Sequence, residues 1–367
     1  MPGEWLAFSG QPAIKSTTYS KTLVQHIIEA KPAGDQVAGM PLSASLLTVD
    51  ENADGQRLDN FLMRHLKGVP KTHVYRIIRS GEVRINKGRA QADSRVAEGD
   101  LIRIPPIRTS AVNADKPGLD RQLATPAREF SILLEDEHLL AIDKPAGVAV
   151  HGGSGVSFGV IEQLRRARPQ AKFLELVHRL DRETSGVLLL AKKRSALTRL
   201  QDQFRERETG KTYLALVVGN WPANKKVLDK PLVKFLLPLQ AGAQGSEGER
   251  RVRVTSKDDP DGMKSVTLVK VAQKVLIDGA AYTQLEVTIK TGRTHQIRVH
   301  LASEGYPIAG DNKYGNFDQN RLLQKQGLKR MYLHAWQLQF NHPATGDRCE
   351  LLAELPADLA PFGSKSN

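Results

Sequence analysis

The amino-acid sequence predicts an α+β fold: a small, basic, partly helical module followed by a larger domain built on a mixed, largely antiparallel sheet. Strand-length apolar runs recur through the second two-thirds of the chain, whereas helix-length amphipathic patterns are few. Strands and helices do not alternate regularly, which argues against a doubly wound parallel sheet. At 367 residues, 40% of them hydrophobic, the chain exceeds one typical domain and can bury at least one large core.

Residues 1–48 are rich in Ser, Thr, Ala and Pro, with a short helical pattern only at Leu23–Ile28, so a flexible arm is expected there. A first module spans 49–108. Leu58, Phe61, Leu62 and Leu66 recur at helical spacing with Asp59 in the first turn, and a second helix is expected over Thr72–Arg79, ended by Gly81. Two short strands follow, near Val83–Ile85 and Leu101–Ile104, with a turn at Asn86-Lys87-Gly88. Residues 109–128 have linker composition, and a second domain is expected over 129–360 with a tail at 361–367. In it, strands are expected at Ser131–Leu134, Leu139–Ile142, Val148–Val150, Val187–Ala191, Tyr213–Val218, Ser265–Val271, Tyr282–Ile289, Tyr332–Phe340 and Arg348–Ala353. Helices are expected at Val160–Ala167 and Ser195–Arg207, and Gly292 to Ser303 reads as a turn entering a helix. Gln240–Gly262, rich in Gly, Ser and charges, reads as a long surface loop or hairpin tip.

A net charge of +13 suggests a polyanionic partner, nucleic acid first, against the blander reading of a generally basic surface. The charge is concentrated: residues 57–104 carry eleven Lys or Arg against five Asp or Glu. The single cysteine, Cys349, excludes an internal disulfide and a cysteine-rich zinc site. No run approaches the roughly 20 apolar residues of a membrane span, and Met1–Gly10 lacks secretory-signal character. A cytoplasmic protein is expected.

The most informative stretch is His178-Arg179-Leu180-Asp181-Arg182-Glu183-Thr184-Ser185-Gly186, followed by the apolar Val187–Ala191. Charged and hydroxyl residues against a buried strand mark a turn at the rim of a core. A carboxylate there, between Arg179 and Arg182, can act as a nucleophile or stabilise positive charge on a sugar; the alternative is a solvated loop with local ion pairs. Other motifs fail. Gly210-Lys211-Thr212 lacks the earlier glycine of a phosphate loop and precedes a strand. Gly152-Gly153-Ser154-Gly155 has the wrong spacing for a dinucleotide loop. The ten histidines include no metal-binding pattern on a helix, and a local His178–Asp181–Ser185 triad lacks a scaffold.

HRLDxxTSG resembles the catalytic motif of the RluA-type pseudouridine synthases. Asp143-Lys144-Pro145-Ala146-Gly147, Lys211–Val217 and Thr291–Leu301 resemble further motifs of that family, and Gly310–Gly315 and Leu333-His334-Ala335 extend the likeness. RLDNFL, IIRSGEVRINKG and EGDLIRI resemble the S4 RNA-binding module. The wording of HRLDRETSGVLLLAKKRSAL, KTYLALVVGNW and GLKRMYLHA leans towards the RluC type, which acts on large-subunit (23S) ribosomal RNA.

The resemblance implies a cleft in the second domain, a flipped uridine, and no cofactor or metal. It makes Asp181 the catalytic aspartate, attacking the nucleotide or stabilising the charged sugar. Tyr213 would stack on the uracil, and its hydroxyl could assist proton removal at C5; on its own it reads as a core tyrosine. Arg298 would pair with Asp181, with Arg293 the competing candidate, better suited to phosphate. His295, three residues before Arg298 and expected to share its helix face, either positions the backbone or is structural. Arg179 would wedge into RNA or hold a phosphate, or else form a loop salt bridge. Lys71, Arg76, Arg79, Lys87 and Arg89 would form one phosphate-binding face on the first module. The implied partner is large-subunit ribosomal RNA or its assembly intermediate, met by a monomer without a membrane. The competing readings are a non-catalytic RNA-binding protein and a nucleoside or glycoside hydrolase using Asp181 with Glu183.

Overall fold

A computed structural model of the protein describes residues 44–66, 69–107, 125–152, 158–237 and 249–363. The helix expected at Leu23–Ile28, most of the linker, the Gly153–Gly155 turn, residues 240–248 and the last four residues lie outside them.

The first module is a four-stranded sheet, ordered β1-β4-β2-β3, with two helices packed on it. The helices are α1 (Leu58–His65) and α2 (Lys71–Arg79). They bury Leu58, Phe61, Leu62, Val74, Ile77 and Ile78, the i, i+3, i+4 positions the periodicity selects, against Ile102 and Ile104 of β4 (Leu101–Ile104). Gly81 at φ +75 ends α2 just past its Ser80 cap. Strands β2 (Arg84–Ile85) and β3 (Gly88–Arg89) are joined through Asn86 and Lys87, both at positive φ, the geometry of a tight hairpin turn. One expectation fails here. The expected flexible arm reaches residue 48, but Ser45–Thr48 form β1, paired in register with Leu101–Ile104. Four residues of which only Leu47 is partly buried give too short a pattern to read against a polar neighbourhood.

The second domain holds a ten-stranded sheet whose main path runs β10-β13-β14-β9-β15-β8-β6-β5. Its strands are β5 (Ser131–Glu135), β6 (Leu139–Lys144), β7 (Glu175–Leu176), β8 (Ser185–Ala191), β9 (Gly210–Val218), β10 (Val227–Asp229), β13 (Val266–Ile277), β14 (Ala280–Ile289), β15 (Leu333–Asn341) and β16 (Arg348–Leu352). Every pairing is antiparallel except β8 with β15, where Ser185 faces His334 and Gly186 faces Ala335. All seven residues of β8 are buried because both faces are covered. Val187 and Leu189 pack with helix α4 (Arg194–Glu206), while Leu188 and Leu190 pack with helix α3 (Val160–Ala167).

The parallel seam needs a glycine. Gly186 sits at φ +110, and a Cβ there would lie 2.2 Å from the carbonyl oxygen of Ala335. Beside it, buried His334 donates from Nε2 to the Ala353 carbonyl at 3.0 Å, so its Nδ1 accepts from the Ser185 hydroxyl at 2.9 Å. Arg330 adds a bond to the same hydroxyl at 3.1 Å.

Three further expectations change. Val148–Val150 is irregular rather than a strand, because its carbonyls are taken by Lys144 Nζ (Val148, 2.9 Å) and by the first N–H groups of α3 (Ala149, 2.8 Å; Val150, 3.1 Å) instead of a neighbouring strand. Within Gln240–Gly262, β12 (Glu249–Val254) pairs with β11 (Leu232–Leu237), so the described part is the return arm of a hairpin followed by a loop. The expected tail instead begins inside a short helix, α7 (Ala360–Gly363), with Phe362 buried against Tyr332 and Leu359. Among the described residues, two further α-helices are α5 (Gln296–Ser303) and α6 (Phe317–Lys325). The first module meets the second domain at α4, where Arg194 donates to the Asp54 carbonyl at 3.2 Å.

Candidate active site

Asp181 lies on the loop between β7 and β8, half-buried above the buried Leu180. The loop is held from three sides. Its own turn closes with Thr184 N–H donating to the Asp181 carbonyl at 3.1 Å. The Arg182 carbonyl accepts from Gly147 N–H at 2.9 Å and from Lys144 Nζ at 3.2 Å. Lys144 is fully buried and also donates to the carbonyls of Pro145 (2.7 Å) and Val148 (2.9 Å), so all three ammonium protons are used. Burial pushes its pKa down to about 7, against the pull of the Glu183 and Asp181 charges. On the third side His178 stacks on Phe204, and its Nε2 accepts the backbone N–H of Leu189 at 3.1 Å. That bond requires a neutral ring, and burial pushes the His178 pKa down to about 4. The histidine of the motif is thus a structural anchor.

Opposite Asp181 stands Arg298, buried on α5. Its Nη1 reaches Asp181 Oδ2 at 3.3 Å, while Nε and Nη2 bind Asp311 bidentately at 2.8 Å each. The sequence-expected pair therefore exists, but the tighter partner is Asp311, whose burial leaves it dependent on this fork. Burial raises the Asp311 pKa less than the Arg298 bonds and two backbone N–H groups lower it, so the carboxyl stays below its usual range.

The turn before α5 is fixed by buried Gln296. Its Oε1 accepts from the Thr291 hydroxyl (2.7 Å) and Arg293 N–H (3.1 Å), and its Nε2 donates to the Val266 carbonyl and Thr267 Oγ1 (3.0 Å each). This lock aims both His295 and Arg298 at the Asp181 loop. His295 is not on the helix as expected from the spacing; it precedes it in the left-handed region (φ 53). Its Nε2 lies 3.8 Å from Asp181 Oδ2, beyond hydrogen-bond range. Burial pushes its pKa down, with Asp181 opposing.

Tyr213, on β9, lines a recess of about 100 Å³ together with Asp181, Thr184, Ile289, His295 and Arg298. Its ring packs where two hydrophobic clusters meet. Burial first, and then the Asp181 charge, push its hydroxyl pKa above the ordinary value. The phenol therefore stays protonated, which weighs against its taking a proton and in favour of a stacking surface. A wider cavity of about 450 Å³ opens on the other side of Asp181, with Arg179, Arg182, Arg251, Lys313, Lys329 and Arg330 among its walls. Arg179 is exposed and lines both spaces; Arg182 pairs with Glu183 at 2.7 Å. Arg293 is exposed at the recess, bonded to the Lys264 carbonyl at 3.3 Å.

In the first module Lys71, Arg76, Arg79, Lys87 and Arg89 are all exposed. They are not equivalent. Arg89 folds onto the end of α2, donating to the Arg79 carbonyl at 2.9 Å, whereas Lys71 stands at the other end of that helix, about 12 Å away at 1.5 Å per residue.

Sequence reading missed the roles of Lys144, Gln296 and Asp311. All three lie inside motifs already singled out. What was absent from the sequence was any sign of which chain segment each would grip.

Comparison with known proteins gives the family. Residues 138–303 match the family described as RNA pseudouridylate synthase, and residues 56–102 match the S4 domain. Ribosomal large subunit pseudouridine synthase C of Haemophilus influenzae is 46% identical over 313 residues, covering 85% of this chain and 92% of that protein. The Salmonella typhi protein of the same name is 47% identical over 319 residues, covering 86% and 95%. Among solved structures, human RNA Pseudouridylate Synthase Domain Containing 4 is 28% identical over 63% of this chain and 92% of that one, with a TM-score of 0.49. With a half-buried aspartate, an arginine and an aromatic ring converging on one recess, and with relatives this similar along most of its length, the chain belongs to the RluA-type pseudouridine synthase family and carries an S4 domain.

Proposed function

We propose that this protein isomerises specific uridines of large-subunit (23S) ribosomal RNA to pseudouridine. The observation that carries the reading is the convergence of Asp181, Arg298 and Tyr213 on one recess beside a wider basic cavity. The reaction breaks the N1–C1′ bond, turns the base, and joins C5 to C1′, so product and substrate have the same mass. The uridine leaves its stack and enters the recess. Asp181 attacks the nucleotide or stabilises the charged sugar, and Arg298 holds the carboxylate towards it. Tyr213 stacks on the detached uracil.

Arg179 and Arg293, exposed at the rim, take RNA phosphates or the space left by the flipped nucleotide, while His295 acts on Asp181 rather than on RNA. The S4-like module, which we place at 49–108 but with its first strand reaching back to Ser45, adds phosphate contacts through Lys71, Arg76, Arg79, Lys87 and Arg89. The catalytic domain we place at 129–360, extended to Phe362 by its burial. A monomer working in the cytoplasm, on free RNA or on an assembling particle, fits the substrate. Hydrolysis is disfavoured because it calls for two carboxylates flanking the bond, and Glu183 is engaged by Arg182.

The test is incubation with large-subunit RNA carrying tritium at uridine C5, followed by mapping of pseudouridines. Tritium release with new pseudouridine at defined positions supports the reading. Release of free uracil, or RNA left unchanged, contradicts it.

A further inference from the structure

We propose that Tyr314 and His295 are a positioning pair that leaves one oxygen of the Asp181 carboxylate free to react, and that the β11–β12 hairpin sets the pair; this rests on the reading of Asp181 as the reactive carboxylate. The chain of contacts begins on β12. Val252 N–H donates to the Tyr314 hydroxyl oxygen at 3.2 Å, which leaves the hydroxyl proton to donate to His295 Nδ1 at 2.8 Å. Nδ1 is therefore the acceptor, and the ring proton of neutral His295 sits on Nε2, the atom that faces Asp181 Oδ2 at 3.8 Å. Arg298 Nη1 approaches that same oxygen at 3.3 Å. Arg298 thus binds Oδ2, the His295 N–H faces the same oxygen from 3.8 Å, and no described residue donates to Oδ1. Long contacts in a substrate-free site often tighten in the substrate complex, and the proposal requires that His295 close this gap.

Two further features point the same way. His295 is one of five non-glycine residues at positive φ among the described residues, and it alone of them lines the recess. A strained backbone held in place by the Gln296 network is costly unless the side chain must point where it does. Tyr314 is gripped from the other side as well: the Arg298 guanidinium lies 5.1 Å over its ring, and the His295 ring meets it edge-on at 5.5 Å. One tyrosine therefore touches both groups that face Asp181 and also the hairpin. Arg251, next to Val252, lines the basic cavity on which Asp181 opens, so RNA seated in that cavity reaches the hairpin strand that holds Tyr314.

The test compares full-length wild type with Tyr314→Phe, His295→Ala, His295→Gln and the Tyr314→Phe/His295→Ala double variant. Readouts are the single-turnover rate of pseudouridine formation, the Kd for the same RNA, and the melting temperature. Tyr314→Phe is expected to slow the chemical step by about 10- to 100-fold with Kd within about two-fold, the signature of lost orientation rather than lost binding. His295→Gln recovers most of the rate lost in His295→Ala, because its amide N–H reaches where Nε2–H does. The double variant is no slower than His295→Ala, since Tyr314 acts through the histidine.

Wild-type rate in Tyr314→Phe, weakened binding with an unchanged rate, or a Gln variant as slow as Ala would overturn the pair. Where Tyr314→Phe melts low, the His295 series decides, since it leaves the tyrosine in place. Inactive wild type overturns the reading of the whole site; active wild type with an unaffected Tyr314→Phe overturns the pair alone.

Discussion

Arg298 is anchored by Asp311, which binds it through two 2.8 Å bonds, and only the remaining edge of its guanidinium turns to Asp181 at 3.3 Å. Both partners are buried. Asp311 Oδ1 also accepts the backbone N–H groups of Lys313 and Tyr314, so the carboxylate is fully engaged. The arrangement supplies a fixed cation whose position does not depend on Asp181. A charge that is already oriented costs no reorganisation during the reaction.

Removing the anchor should therefore damage both stability and rate. Asp311→Ala leaves a buried guanidinium without its counter-charge and is expected to cost about 3–5 kcal/mol. Arg298→Lys keeps the charge but lacks the planar fork, so it cannot serve Asp311 and Asp181 together. Its single-turnover rate should fall by about 100-fold or more while it still folds. Denaturant melts alongside rapid-quench assays check both; a Lys variant with wild-type rate would show that only the charge matters.

Gly186→Ala should fail for a different reason. The new methyl would meet the Ala335 carbonyl at 2.2 Å with φ at +110, and the parallel seam between β8 and β15 has no slack. A loss of roughly 3 kcal/mol or more is expected from overpacking and backbone strain together. Because the seam lies next to the Asp181 loop, activity should fall beyond what the unfolded fraction explains. Chemical denaturation of the purified variant measures the first effect.

The two neutral histidines beside the site make stability fall in mild acid. An unfolded chain takes up a proton at each histidine near pH 6.5, whereas His178 in the folded protein resists until about pH 4. Between those values the unfolded state binds more protons, so stability drops as pH decreases. For His178 the full effect is up to about 3 kcal/mol at the acid end of the window, and His295 adds in the same direction. Protonation also breaks the bond from Leu189 N–H. Melting curves from pH 7.5 to 4.5 should show this decline in wild type and a shallower one in His178→Gln.

In the first module Lys87 and Arg89 should separate. Lys87→Ala is expected to weaken RNA binding and reduce the salt slope by about one with stability unchanged, as for a phosphate contact. Arg89→Ala should also lower stability by about 0.5–1 kcal/mol, because its guanidinium caps the Arg79 carbonyl. Titrations at several salt concentrations, with melts beside them, distinguish the two.

Much of this was readable from residue order. The buried run of β8, the exact span of Val160–Ala167 and the i, i+3, i+4 faces of α1 and α2 follow from apolar periodicity, which depends only on local sequence. The resemblance of HRLDxxTSG, KTYLALV and RTHQIRVH placed Asp181, Tyr213 and Arg298 as candidates, and the structure brings them to one recess. What periodicity does not carry is long-range partnership. Lys144 reads as a charged residue at a strand end, yet it is buried beneath a loop 38 positions later. Asp311 reads as a turn residue, and β1 as part of a polar arm. In each case the partner that explains the residue is distant in the chain.

The most direct measurement is single-turnover tritium release from C5-labelled large-subunit RNA by Asp181→Ala, with the Kd for the same RNA determined in parallel. The account predicts no detectable release and no pseudouridine, with RNA affinity within about three-fold of wild type, because Asp181 acts on the nucleotide while the basic walls and the S4 domain hold the RNA. Pseudouridine formation at the wild-type rate by that variant would contradict it.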